Sequence, residues 1–193
     1  EGLTDKPVTY VVDPTLLLEL EDWDKVCAEC VVEEKYVFGY FLGSNIDVVR
    51  MAKKFAHKKK LKFVMIPFAS GKYNMNEDGL ADIRIVDVSP EKFLSLIKHA
   101  EYVFTDSFHA VVFSFIYKKQ FFVFNRDKKG TMNSRIFSIT ELFGLEKRFC
   151  NSEKKESLKY VEELEDIDYI GSFEKFEKLK EKSVNFLEEN ILN

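Results

Sequence analysis

Short runs of β-branched and aromatic residues alternate along the chain with longer amphipathic segments. Tyr36-Val37-Phe38-Gly39-Tyr40-Phe41-Leu42 is apolar at every position but one, which predicts a strand buried on both faces. It runs into Gly43-Ser44-Asn45, a turn and helix start. Over residues 46–58, Val48, Met51, Ala52 and Phe55 fall on one face at helical spacing. Lys62–Pro67 is the next strand, and a polar loop through Gly71, Asn74, Asn76 and Gly79 leads to a third at Ile83–Asp87. Ser89-Pro90-Glu91 is a strong helix start, with a capping hydroxyl, a proline at the first helical position and then an acid. Tyr102–Thr105 and Phe121–Phe124 are a fourth and a fifth strand. Between them Phe108, Val111, Val112, Phe115 and Ile116 mark a nearly all-apolar helix. The segment 134–143 reads as a helix closed by Gly144.

Strand and helix in alternation, with strands apolar throughout, predict one α/β domain over residues 1–193: a Rossmann-like parallel sheet with helices on both faces. The mixed-charge stretch 151–172 is expected to be a solvated connector, and 173–191 a charged terminal helix carrying Phe173, Phe176, Leu179, Phe186 and Leu187. In such sheets ligands bind outside the carboxyl ends of the strands. That directs attention to Gly43–Asn45, Pro67–Gly71, Asp87–Ser89, Thr105–His109 and Asn125–Arg135.

Composition narrows this further. With 46% hydrophobic residues in 193, the chain can bury a real core without disulfides or metals. A net charge of −4 argues against a dedicated nucleic-acid binder. No stretch approaches the roughly 20 apolar residues of a membrane helix. Three cysteines, an odd number, point to a reducing compartment. Only 5 of the 29 basic residues are arginines, so each arginine near a strand end matters, because a planar dianion is best gripped by a guanidinium.

The richest stretch for chemistry is Thr105-Asp106-Ser107-Phe108-His109-Ala110, where a buried strand turns into a buried helix. Asp106 or Ser107 can cap that helix, which puts His109 in its first turn, at the ligand edge of the sheet. An imidazole there can give or take a proton near neutrality. It can equally be a helix-start histidine that only bonds a neighbouring loop. His57 and His99 sit at helix ends, where they serve as favourable cations. Asn133-Ser134-Arg135-Ile136 opens the next helix, and an arginine there opposes the helix dipole unless an anion lies between them. Arg126 is the lesser candidate of that connection. Cys27-Ala28-Glu29-Cys30 has no second pair and lies in a helical pattern with Trp23 and Val26, so it reads as packing and not as a metal or redox site. No GxGxxG, Walker A loop, nucleophile elbow, HExxH or paired metal carboxylates occur.

These residues carry a resemblance. Val12-Asp13-Pro14-Thr15-Leu16-Leu17-Leu18 with Trp23, Ser89–Leu94, Ala100–His109, and Ser134-Arg135-Ile136 with Leu145-Glu146 together resemble the polysaccharide pyruvyl transferase family, from about residue 11 to 148. The resemblance implies a two-domain, GT-B-like bacterial enzyme of which this chain is the C-terminal half. A chain starting at Glu1 is then expected to lack a partner N-terminal domain and to be inactive alone. Members transfer the enolpyruvyl carbons of phosphoenolpyruvate to a sugar of a cell-surface polysaccharide, in exopolysaccharide biosynthesis. The resemblance implies a cytoplasmic location near the inner face of the membrane, a saccharide or lipid-linked oligosaccharide acceptor, and no cofactor or metal. His109 matches the acid. Asp106, Ser107, Ser134, Arg135, Gly43 and Ser44 are the expected substrate-binding residues. Other branches of the family carry Arg where this chain has Ser107, and Gly is common where it has Ala110. A GT-B-like glycosyltransferase using a nucleotide sugar, and a non-catalytic glycan-binding module, are the alternatives on the same scaffold.

Overall fold

The computed structural model describes residues 8–67, 79–126, 134–150 and 157–191. The expected loop residues Gly71, Asn74 and Asn76, and Asn133 ahead of Ser134, lie outside them. Among the described residues six strands form one sheet in the order β3-β2-β1-β4-β5-β6, and every neighbouring pair is parallel. They are β1 (Tyr36–Tyr40), β2 (Lys62–Met65), β3 (Ile83–Arg84), β4 (Tyr102–Thr105), β5 (Gln120–Phe124) and β6 (Phe149–Cys150). This is the strand order of the dinucleotide-binding α/β fold, and the order reverses between β1 and β4.

Alternation along the strands sorts their side chains into two cores. Phe38, Val64, Val103, Phe121 and Val123 face one layer, and Val37, Phe63, Met65, Phe104, Phe122 and Phe124 face the other. The first layer is covered by α3 (Pro90–Lys98), α4 (Phe108–Ile116), α5 (Ser134–Leu142) and α7 (Tyr169–Ile191), through residues such as Ile97, Val112, Ile139 and Phe176. The second is covered by α2 (Ile46–Lys58) and α6 (Ser157–Glu163), through Ala52, Phe55 and Val161. Helices thus lie on both faces of the sheet. Phe55 meets Tyr102, Phe104 and Phe122 at centroid distances of 5.0, 5.1 and 5.7 Å.

Local signals act as their chemistry demands. Ser89 caps α3, its side chain accepting from Lys92 N–H, with Pro90 first in the helix. α4 starts at Phe108 and is buried from Ala110 to Ile116, so hydrophobicity on all sides reflects a helix sunk between the sheet and its neighbours. The N-terminal segment, with a 3-10 turn at Pro14–Leu16 and α1 (Leu20–Val26), is tied to α7: Val12 N–H donates to Ser183 Oγ at 3.1 Å, and Lys180 pairs with Glu19.

Three local expectations change. The third strand shortens to Ile83 and Arg84, with Ile85 N–H still donating to Met65 O at 3.1 Å before the chain turns out to solvent at Val86. The 151–172 stretch contains α6 and the first residues of α7, since Val161 has the second core to pack against. The CxxC is not helical: Cys27 is extended as it ends α1, and Cys30 lies exposed beyond it.

Candidate functional site

Strand β1 ends at Tyr40 and β4 at Thr105, which pair directly across the point where strand order reverses. Crevices open at such points because the chain leaves the two strands toward opposite faces. Here β1 leads to α2 on one face and β4 to α4 on the other.

The last residue of β4 and those that follow it build the edge. Thr105 Oγ1 donates to Tyr40 O at 2.6 Å and accepts from Ser107 N–H at 3.0 Å, so one buried hydroxyl stitches β1 to the start of α4. Asp106 is 3% exposed, and its two carboxylate oxygens take the N–H groups of Leu42 and Gly43 at 2.7 and 2.8 Å. Burial raises its pKa above the ordinary aspartate value, against the opposing pull of the Leu42 and Gly43 N–H groups and the Arg126 charge. Ser107 is the N-cap of α4 with extended backbone, and its side chain makes no capping bond to the helix. His109 follows in the first turn and is exposed.

Arg126, just past β5, and Arg135 of α5 lie on the other side. An Arg126 guanidinium nitrogen donates to the Asp106 carbonyl at 3.2 Å. The Arg135 guanidinium carbon sits over the Phe108 ring, 4.5 Å from its centroid, and that ring meets the His109 imidazole edge-on at 5.3 Å. Phe108 thus joins the arginine of α5 to the histidine of α4. Ser134 is the exposed first residue of α5. Ser44 is exposed in the β1–α2 turn, next to Gly43. Gly43 has no room for a side chain, as a Cβ would stand 2.4 Å from the Arg126 carbonyl oxygen and 2.8 Å from an Asp106 carboxylate oxygen.

The structure therefore brings Gly43, Asp106, Ser107 and His109 to one edge of the sheet, with Arg135 reaching it through Phe108. Arg126, the lesser candidate on sequence, is built into the same edge. Its signal was available, since it lies two residues past the end of β5. A cavity of about 620 Å³ opens elsewhere, at the amino edge, between Phe143–Arg148 and Glu163–Asp168. A small enclosed space beside Gly43 and Ser44, lined also by Met65 and Val49, is about 10 Å³.

His57 and His99 do other work. His57 Nε2 contacts the Asp82 carboxylate at 2.8 Å, and His99 Nδ1 bonds the Ser95 carbonyl at 2.9 Å. Among the described residues no group of three or more His, Cys, Asp or Glu can hold a metal ion, and no helix is long and apolar enough to cross a membrane.

Residues 1–128 match the model of a family described as polysaccharide pyruvyl transferase. The match ends before Ser134, Arg135 and the Leu145-Glu146 pair, so the resemblance holds over a shorter stretch than the sequence motifs suggested, and the C-terminal portion of this chain lies outside it. No curated protein matches the chain. Among solved structures, the glycosyltransferase SnogD from Streptomyces nogalater is similar at 12% identity with a TM-score of 0.46, over 94% of this chain and 44% of that one. The chain spans less than half the length of that structure.

Proposed function

The chain belongs to the polysaccharide pyruvyl transferase family, and from that premise we propose that the α4 edge binds phosphoenolpyruvate and passes its enolpyruvyl carbons to a sugar hydroxyl. The observation that carries this reading is the arrangement around Phe108: an uncapped helix N-terminus, His109 in its first turn and Arg135 stacked on the ring between them.

The chemistry asks for two things, an acid for the enol and a cradle for two anionic groups. Adding a proton to the methylene carbon leaves C2 electron-poor and open to a sugar hydroxyl, whose oxygen bonds to C2 as its proton passes back to His109. The C2–O bond to phosphate then breaks, phosphate departs with the bonding pair, and a second hydroxyl closes the ketal with loss of its proton. His109, exposed and within reach of solvent protons, is the acid, giving its proton to the methylene carbon or to the departing phosphate. The N–H groups of α4, with Ser107 and Ser134, face the phosphate and carboxylate, and Arg135 supplies the charge. Gly43 and Ser44 present backbone and hydroxyl from the facing turn. The acceptor is a saccharide or lipid-linked oligosaccharide, which places the enzyme in the cytoplasm near the membrane's inner face. A second domain completes the cleft over this edge, and the chain alone turns over little substrate. Phosphoenolpyruvate, as donor, brings the reactive group, and the reading calls for no cofactor besides it.

Thermal unfolding tests the donor. Phosphoenolpyruvate should raise the melting temperature of the full-length protein while nucleotide sugars leave it unchanged; the reverse pattern would establish a glycosyltransferase instead. His109→Ala should lower turnover by a factor on the order of 10²–10⁴ with the protein still folded. Full activity in that variant would remove His109 from the mechanism.

A further inference from the structure

Asp106 lies between Thr105 and Ser107 in the proposed site, yet its carboxylate turns away from solvent. It is 3% exposed, and both oxygens are engaged by backbone N–H groups of the β1–α2 turn. A substrate would have to displace Leu42 or Gly43 to reach it. The same residue's carbonyl takes the Arg126 guanidinium of the β5–α5 connection. The Arg126 backbone in turn lies so near Gly43 that no Cβ fits between them. Three loops, from β1, β4 and β5, therefore meet on one residue.

We propose that Asp106 is a positioning residue: its carboxylate clasps the β1–α2 turn at Leu42 and Gly43, its carbonyl holds Arg126, and the clasp fixes His109 relative to Ser44. The chemical logic is local. Neither a hydroxyl nor an amide can accept from two converging N–H groups with two equivalent oxygens, and only a carboxylate does so without offering a hydrogen of its own. Gly43 is the matching half, because the missing side chain lets the Arg126 backbone close over the turn. Asp106 acts on substrate only through what it holds. This deepens the transferase reading, and the binding arm of its test rests on that reading.

Nuclear magnetic resonance of the ¹⁵N-labelled chain reads the clasp directly. In the wild-type chain the Leu42 and Gly43 amide signals should move together in one pH transition, the titration of Asp106. Asp106→Asn should abolish that transition and shift the His109 ring signals, while those of His57 and His99 stay in place. Gly43→Ala, which attacks the clasp from its other side, should also move His109. Phosphoenolpyruvate should bind both variants at least tenfold more weakly than wild type, at a temperature where circular dichroism shows them folded.

Independent titration of the two amides, or a His109 signal unmoved in both variants, would overturn the proposal. So would equal phosphoenolpyruvate affinity in wild type and folded variants. If phosphoenolpyruvate fails to bind wild type while the amide and His109 responses appear, the donor reading falls and the clasp stands. Where a variant fails to fold, the wild-type amide titration decides alone.

Discussion

Two aspartates sit at opposite edges of the sheet and do similar work with opposite electrostatic outcomes. Asp106, at the carboxyl edge, accepts the N–H groups of Leu42 and Gly43 from inside the protein. Asp82, at the amino edge before β3, accepts Phe63 N–H at 2.8 Å, with His57 at 2.8 Å and Lys53 at 3.7 Å around it. Burial disfavours the charge at both. At Asp106 burial wins and the pKa is raised. At Asp82 burial is the largest single influence, but the Phe63 N–H, His57 and Lys53 together outweigh it and the pKa is lowered. The amino edge thus ionises at a gain, and the carboxyl edge keeps a carboxylate whose ionisation it opposes. A fold tolerates such a cost where geometry matters more than stability, and in this sheet type that is the carboxyl edge.

Removing each carboxylate breaks the comparison most strongly. Asp106→Ala leaves two partly buried N–H groups without acceptors, at a cost of about 1–3 kcal/mol each, so the variant should lose roughly 2–6 kcal/mol in urea unfolding. Asp82→Ala strands one N–H and releases two partly exposed ion pairs, and should lose about half as much, about 1–3 kcal/mol. Equal losses would mean that the two edges are equivalent and that the clasp holds nothing special. Arg135→Ala sharpens the contrast from the ligand side. The stacked side chain is exposed, so its removal should change stability by under about 0.5 kcal/mol, while phosphoenolpyruvate binding weakens by roughly tenfold, the effect of about 1.4 kcal/mol of lost anion contact. Unchanged affinity by titration calorimetry would take Arg135 out of the cradle.

How far the sequence carried follows the same division. The sheet was legible because its strands are apolar on both faces, and α4 because its residues are apolar all round. Tyr102–Thr105 and Phe108–Ile116 appear where the pattern put them. Edge elements were less legible. β6 is two residues, Phe149 and Cys150, and no period can show in two positions. α6 hides in a charged stretch because Val161, with Leu158 half-buried beside it, suffices to dock it on the second core. The strand-to-helix turn holding His109 was visible as a boundary between patterns. The role of Asp106 was not, because a capping aspartate and a clasping aspartate look alike until Leu42 and Gly43, more than 60 residues away, fold against it.

The smallest expected effect is the most discriminating, a difference in the sign of pH dependence. A raised native pKa means that the folded state holds the Asp106 proton after the unfolded chain has released its own. Between the ordinary aspartate value and that raised value, stability contributed by Asp106 therefore increases as pH falls. For Asp82 the native pKa lies below the ordinary value. Its contribution is present above about 3.8, the ordinary value, and is lost as pH falls through the native pKa. Plotted against pH, the stability difference between wild type and Asp106→Asn should rise toward acid, and that between wild type and Asp82→Asn should fall. Both curves follow from urea midpoints at four or five pH values. If the Asp106 curve falls toward acid as well, its N–H bonds outweigh its burial, and the carboxyl edge ionises as comfortably as the amino edge.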